Sequence, residues 1–156
     1  MKNLKALVLD VDGVLTDGGV WWGPNGEEWK RFSYRDIMGV SLARKAGLVV
    51  GLISGEDSPL VDRFAAKLGI TDVEKGCKDK AAALRLFSER RTLALSEIAF
   101  MGDDVNDLEA MGLAGLAGAP ANAVPLALRQ AAFVSTHPGG HGAVRELVDA
   151  ILQAKG

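Results

Sequence analysis

Two aspartates, Asp10 and Asp12, stand two positions apart in the stretch DVDGVLTDG, directly after a short apolar run. Carboxylates this close repel each other unless a bound divalent cation offsets the repulsion. Gly13 follows them, and a residue without a side chain lets the backbone approach an anion closely. Taken alone, the pattern is also compatible with an ordinary acidic turn after a strand.

A second acidic stretch, GDDVND, occupies residues 102–107 and also follows an apolar run. It adds Asp103, Asp104 and Asp107 to the first pair, with Asn106 among them. Acids that suit the dipole at a helix N-terminus are one explanation. Five carboxylates at one place have no packing role, however. A hard cation with oxygen ligands, Mg²⁺ above all, accounts for the whole set.

Two further side chains suit a phosphoryl group. Ser54 ends an apolar run with a hydroxyl, and Lys80 lies near the start of a helical pattern. A hydroxyl, an ammonium, backbone N–H groups and Mg²⁺ together neutralise a phosphoryl group on all sides. Lys80 alone has the more ordinary alternative of a solvated surface lysine.

The elements that must position these residues alternate between strands and helices. Apolar runs predict buried strands at 4–10, 48–54 and 97–102, and the sequence pattern predicts helices at 35–47, 58–69, 79–91, 104–112 and 142–154. This alternation predicts one α/β domain over residues 1–156, a three-layer Rossmann-like sandwich with a parallel sheet. Ligands bind beyond the carboxyl ends of such strands, where Asp10, Ser54 and Asp103 fall.

An insertion over about residues 18–32 interrupts the alternation. Pro-Asn-Gly between two aromatic runs predicts a β-hairpin, and Trp21, Trp22 and Trp29 all lie in it. Val20 and Trp22 share one face and Trp21 takes the other, so these side chains cannot all be buried against one core. An exposed aromatic patch indicates an interface. The alternative is a hairpin folded over its own domain.

Composition excludes several classes of function. A net charge of −2 provides no basic field for nucleic acid or an anionic membrane. No stretch approaches the roughly 20 apolar residues of a membrane span. Cys77 is the only cysteine, so no intrachain disulfide is possible. Because the apolar run at the N-terminus is too short for a signal peptide, we expect a cytoplasmic protein.

The order DxDGVxTDG, strand-terminal Ser, Lys and GDDxND resembles the haloacid dehalogenase-like phosphatases over nearly the whole chain. The resemblance implies that Asp10 is a nucleophile forming an aspartyl-phosphate and that Asp12 is the general acid and base. It also implies a Mg²⁺ cofactor held by the Asp10 carboxylate, the Asp12 main-chain carbonyl and Asp103. The expected phosphate-binding residues are Ser54, Gly55, Lys80 and Gly13, with Asp104, Asn106 and Asp107 around them.

The resemblance extends to one subgroup. Only one helix and one short strand separate Ser54 from Lys80, so there is no room for a cap domain, and the only other insertion is the hairpin. The chain is similar to capless phosphatases of eight- and nine-carbon 2-keto-3-deoxy sugar acid phosphates. That similarity implies a homotetramer in which the Trp-rich hairpins pack at the centre and neighbouring subunits close each site.

Glu56 distinguishes between the two substrates. In octulosonate 8-phosphate phosphatases Gly-Arg typically follows the serine, whereas nonulosonate 9-phosphate phosphatases have Gly-Glu and a lysine in the next helix, matched here by Lys67. A carboxylate can accept hydrogen bonds from sugar hydroxyls. We therefore expect a 2-keto-3-deoxy-nonulosonate 9-phosphate, with 3-deoxy-D-manno-octulosonate 8-phosphate as the alternative. Glu56 can also simply be favoured before a helix N-terminus.

The stretch GGHGAVRE near the C-terminus resembles the tail signature of the same subgroup. Arg145 is a candidate for binding the substrate carboxylate, and its alternative is an i,i+4 ion pair with Asp149. His141 is a loop residue with no assigned contact.

Two hypotheses from other classes stay open. A phospho-aspartate signalling receiver domain shares the fold type and an Asp/Ser/Lys/Mg²⁺ pocket but lacks GDDxND. A catalytically idle tetramerisation module is the second, and the intact DxD and GDDxND motifs argue against it.

Overall fold

The computed structural model describes all 156 residues. The strands are β1 (Ala6–Leu9), β2 (Trp21–Trp22), β3 (Glu28–Trp29), β4 (Val49–Ile53), β5 (Asp72–Glu74), β6 (Ile98–Met101), β7 (Leu116–Ala119) and β8 (Phe133–Val134). The helices are α1 (Tyr34–Lys45), α2 (Pro59–Leu68), α3 (Lys80–Arg91), α4 (Leu108–Leu113), α5 (Pro125–Gln130) and α6 (Ala143–Lys155). None of these helices combines the length and apolar character needed to cross a membrane.

A parallel sheet in the order β5-β4-β1-β6-β7-β8 forms the middle layer. Strand β1 is buried on both faces, which explains why its sequence is continuously apolar. Leu7 and Leu9 pack in one core with α1, α2 and α6, whereas Ala6 and Val8 pack in the other with α3, α4 and α5. The predicted three-layer α/β sandwich is therefore confirmed.

Local signals in the sequence account for where the helices begin. Ser33, Ser58 and Asp79 are the N-caps of α1, α2 and α3, and each side chain accepts a hydrogen bond from a backbone N–H in the first turn. Pro59 occupies the first position of α2, where its missing N–H costs nothing. Gly69 ends that helix in the left-handed conformation, with φ 63°.

The last helix begins without a cap of its own. Instead, buried Asp36 of α1 accepts hydrogen bonds from the backbone nitrogens of Gly142 (3.1 Å) and Arg145 (3.0 Å). Burial raises the pKa of Asp36, and these backbone donors partly oppose the rise. Asp36 thus ties the C-terminal helix to the first one.

The structure differs from the sequence prediction in two places. Helix α5 was not predicted, because its six residues are too few to show a helical period. The segment after β6 was predicted as one helix, but it starts with a 3₁₀ turn at Val105–Asp107 and becomes α-helical only at Leu108. That turn brings the Asp107 carboxylate back under the acidic loop.

The hairpin forms as predicted, with Trp21 opposite Trp29 and Trp22 opposite Glu28. Its aromatic side chains are not covered by its own domain: Trp21 is 74% exposed, Trp22 77% and Trp29 54%. The alternative of a hairpin folded over its own core does not describe this arrangement.

Candidate active site

A polar cavity of about 220 Å³ opens at the carboxyl ends of β1, β4 and β6. No hydrophobic residue lines it. The sequence-predicted residues that line it are Asp10, Asp12, Gly55, Glu56, Lys80, Asp103, Asp104 and Asn106. The parallel sheet brings these residues together because Asp10 and Ser54 directly follow adjacent strands, and Asp103 lies two residues beyond a third.

A buried ion-pair triad lies at the base of the cavity. Lys80 Nζ is 2.8 Å from Asp10 Oδ1 and 2.6 Å from Asp107 Oδ1, and all three side chains are nearly or fully buried. Burial alone would lower the pKa of Lys80, but the charges of Asp10 and Asp107 outweigh it and raise that pKa. Lys80 is therefore an ammonium that compensates two buried carboxylates.

One lysine does not neutralise all of the acids. Carboxylate oxygens of Asp10, Asp103 and Asp107 lie within 4.8 Å of one another. Burial, and then the charge of Asp107, raises the pKa of Asp10 well above its ordinary value, although Lys80 opposes the rise. Burial, together with the charges of Asp107 and Asp104, raises the pKa of Asp103 to about 6. This cluster is short of positive charge.

The carboxylate and carbonyl oxygens in this cluster suit Mg²⁺, because magnesium prefers hard oxygen ligands. The main-chain carbonyl of Asp12 accepts no backbone hydrogen bond, so its oxygen is free for a ligand. The residues present therefore fit the cation expected from the sequence.

Gly13 and Asp107 shape the two loops that surround this cluster, one after β1 and one after β6. Gly13 has φ 87°, and a Cβ at that position would overlap the Asp103 carboxylate, so glycine is required for both conformation and space. Asp107 Oδ2 accepts hydrogen bonds from the backbone nitrogens of Asp103 (2.9 Å) and Asp104 (3.1 Å). Asp107 thus holds the acidic loop while its other oxygen binds Lys80.

Ser54 is buried beside the cavity, and its Oγ accepts a hydrogen bond from the Glu56 nitrogen at 3.2 Å. This turn directs the exposed Glu56 side chain toward the cavity. Lys67 instead lies on the outer surface of α2, 6.0 Å from the centre of the Tyr34 ring. The Arg145 guanidinium pairs with Asp149 at 2.9 Å, the alternative arrangement considered from the sequence. The predicted contacts of Glu56, Lys67 and Arg145 with the substrate remain predictions.

Sequence reasoning missed Lys30, at the end of the hairpin. Its side chain is only 2% exposed, and Nζ lies 2.8 Å from Asp12 Oδ1 and 3.6 Å from Glu28 Oε1. No spacing rule links residues 12 and 30, because the contact exists only once the hairpin folds back over the loop.

The glycine-rich loop before α6 also packs against the DVDG loop. Gly140 N donates to Val14 O at 3.1 Å, and a Cβ at Gly139 would overlap the Gly13 carbonyl. Arg31 donates to Gly140 O (2.9 Å) and contacts His141 Nε2 (3.0 Å). These glycines permit a close approach between backbones, and His141 contributes to holding the loop.

The sequence of this chain is similar to sequences of known hydrolases, in agreement with the chemistry that the site suggests. A model of the haloacid dehalogenase-like hydrolase family matches residues 53–147. The 3-deoxy-D-manno-octulosonate 8-phosphate phosphatase KdsC of Escherichia coli K12 is 41% identical over 155 residues, which are 99% of this chain and 82% of the relative. The Salmonella typhi protein of the same name is 40% identical over the same share of each chain.

Solved structures match over nearly the whole chain. The 3-deoxy-D-manno-octulosonate 8-phosphate phosphatase from Yersinia pestis has a TM-score of 0.97 at 38% identity, covering 99% of this chain and 83% of its own. The Moraxella catarrhalis enzyme, in complex with a magnesium ion, a phosphate ion and a KDO molecule, has a TM-score of 0.96 at 35% identity, covering 99% and 88%.

These matches confirm the expected family and, together with the acidic cluster, the Mg²⁺ cofactor. The chain belongs to the haloacid dehalogenase-like hydrolases and is a magnesium-dependent phosphoric monoester hydrolase.

Proposed function

We propose that the chain hydrolyses the phosphate ester of a 2-keto-3-deoxy sugar acid, and that its substrate is 3-deoxy-D-manno-octulosonate 8-phosphate. The observation that carries the phosphatase chemistry is the Asp10–Lys80 pair at the base of a wholly polar cavity, beside Asp103. The substrate comes from the names of the relatives. They favour the octulosonate over the nonulosonate that Glu56 and Lys67 led us to expect.

The geometry supports a two-step reaction through Asp10. Lys80 holds Oδ1 of Asp10, so the other carboxylate oxygen attacks phosphorus. The bond from phosphorus to the sugar oxygen breaks, the electron pair stays on that oxygen, and Asp12 gives it a proton. Asp12 then takes a proton from the water that attacks the aspartyl-phosphate, and phosphate leaves.

The surrounding groups stabilise charge during both steps. Ser54, the Gly55 N–H and Lys80 are the proposed donors to the phosphoryl oxygens. Mg²⁺, when held by Asp10, Asp103 and the Asp12 carbonyl, supplies the positive charge that lets an anionic nucleophile approach an anionic ester.

A nonulosonate 9-phosphate is the second candidate substrate. The observation that favours it is the Glu56 carboxylate, which lines the cavity on a turn fixed by Ser54. In this position it can accept hydrogen bonds from the additional hydroxyls of a nine-carbon sugar acid.

We also propose that the chain assembles as a homotetramer through the Trp-rich hairpin. Trp21 and Trp22 lie on opposite faces of the hairpin and both are exposed, as aromatic side chains that an interface buries are in a separate subunit. Lys67 and Arg145 lie outside the cavity of their own chain. Assembly is therefore the route by which Lys67 of a neighbouring subunit contributes to a site.

Replacing either catalytic aspartate tests the mechanism. We expect Asp12→Asn to lower kcat by about 10²–10⁴-fold because general acid–base catalysis is lost, and Asp10→Asn to abolish turnover because no aspartyl-phosphate forms. Phosphate release with Mg²⁺ present is the measurement. Asp17→Asn is the matched control, since Asp17 lies in the same loop but bonds only the Gly19 nitrogen. Wild-type turnover by Asp10→Asn would contradict the mechanism.

Thermal unfolding with and without Mg²⁺ tests the acidic cluster. The folded-state pKa values of Asp10 and Asp103 are raised from the ordinary value of 3.8, to about 6 for Asp103. The metal-free protein therefore loses stability as the pH rises from the ordinary pKa toward the raised one. Mg²⁺ binds only the ionised carboxylates. At Mg²⁺ about 100-fold above Kd we expect a melting temperature gain of about 5–10 °C near pH 8 and a much smaller gain near pH 5.

The control for that measurement is Asp17→Asn, which should retain the full gain, whereas Asp103→Asn should lose most of it. An equal gain at both pH values, or a full gain in Asp103→Asn, would show that Mg²⁺ binds elsewhere.

Kinetics on two sugar acid phosphates decides the substrate. We expect a higher kcat/KM on octulosonate 8-phosphate than on nonulosonate 9-phosphate. Glu56→Arg should lower kcat/KM on the nonulosonate about 10-fold more than on the octulosonate, because a hydrogen-bond acceptor becomes a donor. Asp57→Arg, an exposed neighbour outside the cavity, is the control. A wild-type preference for the nonulosonate would transfer the assignment to the second candidate.

The mass of the particle in solution tests the assembly. We expect the wild type to sediment as a tetramer and the double variant Trp21→Ala/Trp22→Ala to dissociate, because the aromatic area that the interface buries is removed. Leu86→Ala removes an exposed apolar side chain from α3 and should leave the tetramer intact. A monomeric wild type, or an unchanged double variant, would refute the hairpin interface.

A further inference from the structure

The second carboxylate of the DxD pair has its own buried lysine. Lys30 Nζ lies 2.8 Å from Asp12 Oδ1, and the lysine side chain is 2% exposed while that of Asp12 is 30% exposed. No other ion pair or side-chain hydrogen bond reaches the Asp12 carboxylate. Asp12 lines the cavity, whereas Lys30 is not among the residues that line it.

The burial of Lys30 needs an explanation. A lysine on a hairpin can extend into water, and removing an ammonium from water costs free energy that only well-placed partners offset. Here the partners are Asp12 and, at 3.6 Å, Glu28. Glu28 is fixed in turn, because it accepts hydrogen bonds from Ser58 Oγ (2.8 Å) and Trp22 Nε1 (3.2 Å). Lys30 is thus held between Asp12 and Glu28, and Glu28 is held in turn by two hydrogen bonds.

The two buried lysines divide the acids between them. Lys80 pairs with Asp10 and Asp107 and makes no contact with Asp12. Lys30 pairs with Asp12 and makes no contact with Asp10. Each carboxylate of the DxD pair is therefore drawn toward a different ammonium, which keeps the two apart despite their like charge. In each pair the ammonium occupies Oδ1 and leaves Oδ2 for chemistry.

We propose that Lys30 is a positioning residue for Asp12, fixing its carboxylate so that Oδ2 transfers the proton to and from the sugar oxygen and water. The inference rests on the proposed function, in which Asp12 is the general acid and base. We assign Lys30 no direct contact with the substrate, because it does not line the cavity. Through Glu28 and Trp22, the same contacts connect the hairpin to the proton-transfer step.

The dependence of the rate on the leaving group tests this role. An alkyl sugar phosphate needs a proton on its leaving oxygen, whereas 4-nitrophenyl phosphate expels a stable phenolate without one. Lys30→Met should lower kcat/KM on octulosonate 8-phosphate by about 10-fold or more and on 4-nitrophenyl phosphate by less than about twofold. Lys30→Arg, which restores the charge, should recover at least part of the loss on the sugar phosphate.

Lys5→Met is the matched control, because Lys5 pairs with Glu97 (2.6 Å) at the opposite end of the sheet. Lys5→Met should leave kcat/KM unchanged on both octulosonate 8-phosphate and 4-nitrophenyl phosphate. Melting temperatures of all variants identify any that fail to fold, and Lys30→Arg then provides the test in place of Lys30→Met, with a smaller loss of the same selective kind expected.

A double-mutant comparison separates this inference from the proposed function. In the Asp12→Asn background, Lys30→Met should cause no further loss on the sugar phosphate, because the group it positions is gone. Equal losses on both substrates, or additive losses in the double variant, would overturn the positioning role while leaving the mechanism intact. Full activity of Asp12→Asn alone would instead overturn the proposed function.

Discussion

The ion pairs of Lys80 with Asp10 and Asp107 are the interaction on which the rest of the site depends. All three groups are buried, and buried charges persist in a folded protein only when they are paired. The partners lie 70 and 27 positions from Lys80 in the sequence. They meet because β1 and β6 are adjacent parallel strands and α3 begins at the same edge of the sheet.

The same triad explains why the site needs a cation. One ammonium faces several carboxylates, and burial together with the repulsion between these carboxylates raises the pKa values of Asp10 and Asp103. A closely packed loop keeps these acids together despite their repulsion. Gly13 provides the space for Asp103, and Asp107 binds the loop nitrogens on either side of it. The fold thus maintains a cluster of carboxylates that a bound divalent cation would stabilise.

The hairpin has two sets of side chains with different roles. Trp21, Trp22 and Trp29 remain largely uncovered within the chain, whereas Glu28 and Lys30 contact Ser58 and Asp12. A single short insertion therefore presents an exposed aromatic surface, which is the proposed subunit interface, and a charged contact to the candidate general acid. In a protein without a cap domain, the hairpin thus joins an exposed surface to the candidate general acid.

The sequence by itself determined the layers of the fold and the central residues of the site. A strand such as β1 can be recognised from its local run of apolar residues. Because the strands are parallel, the residues that follow them, Asp10, Ser54 and Asp103, must meet at one edge of the sheet. Tertiary structure alone decided the rest. Packing between elements decided three contacts. They are the pair of Arg145 with Asp149, the position of Lys67 beside Tyr34, and the contact of Lys30 with Asp12. No local pattern encodes such contacts, because their free energy exists only after the chain has folded.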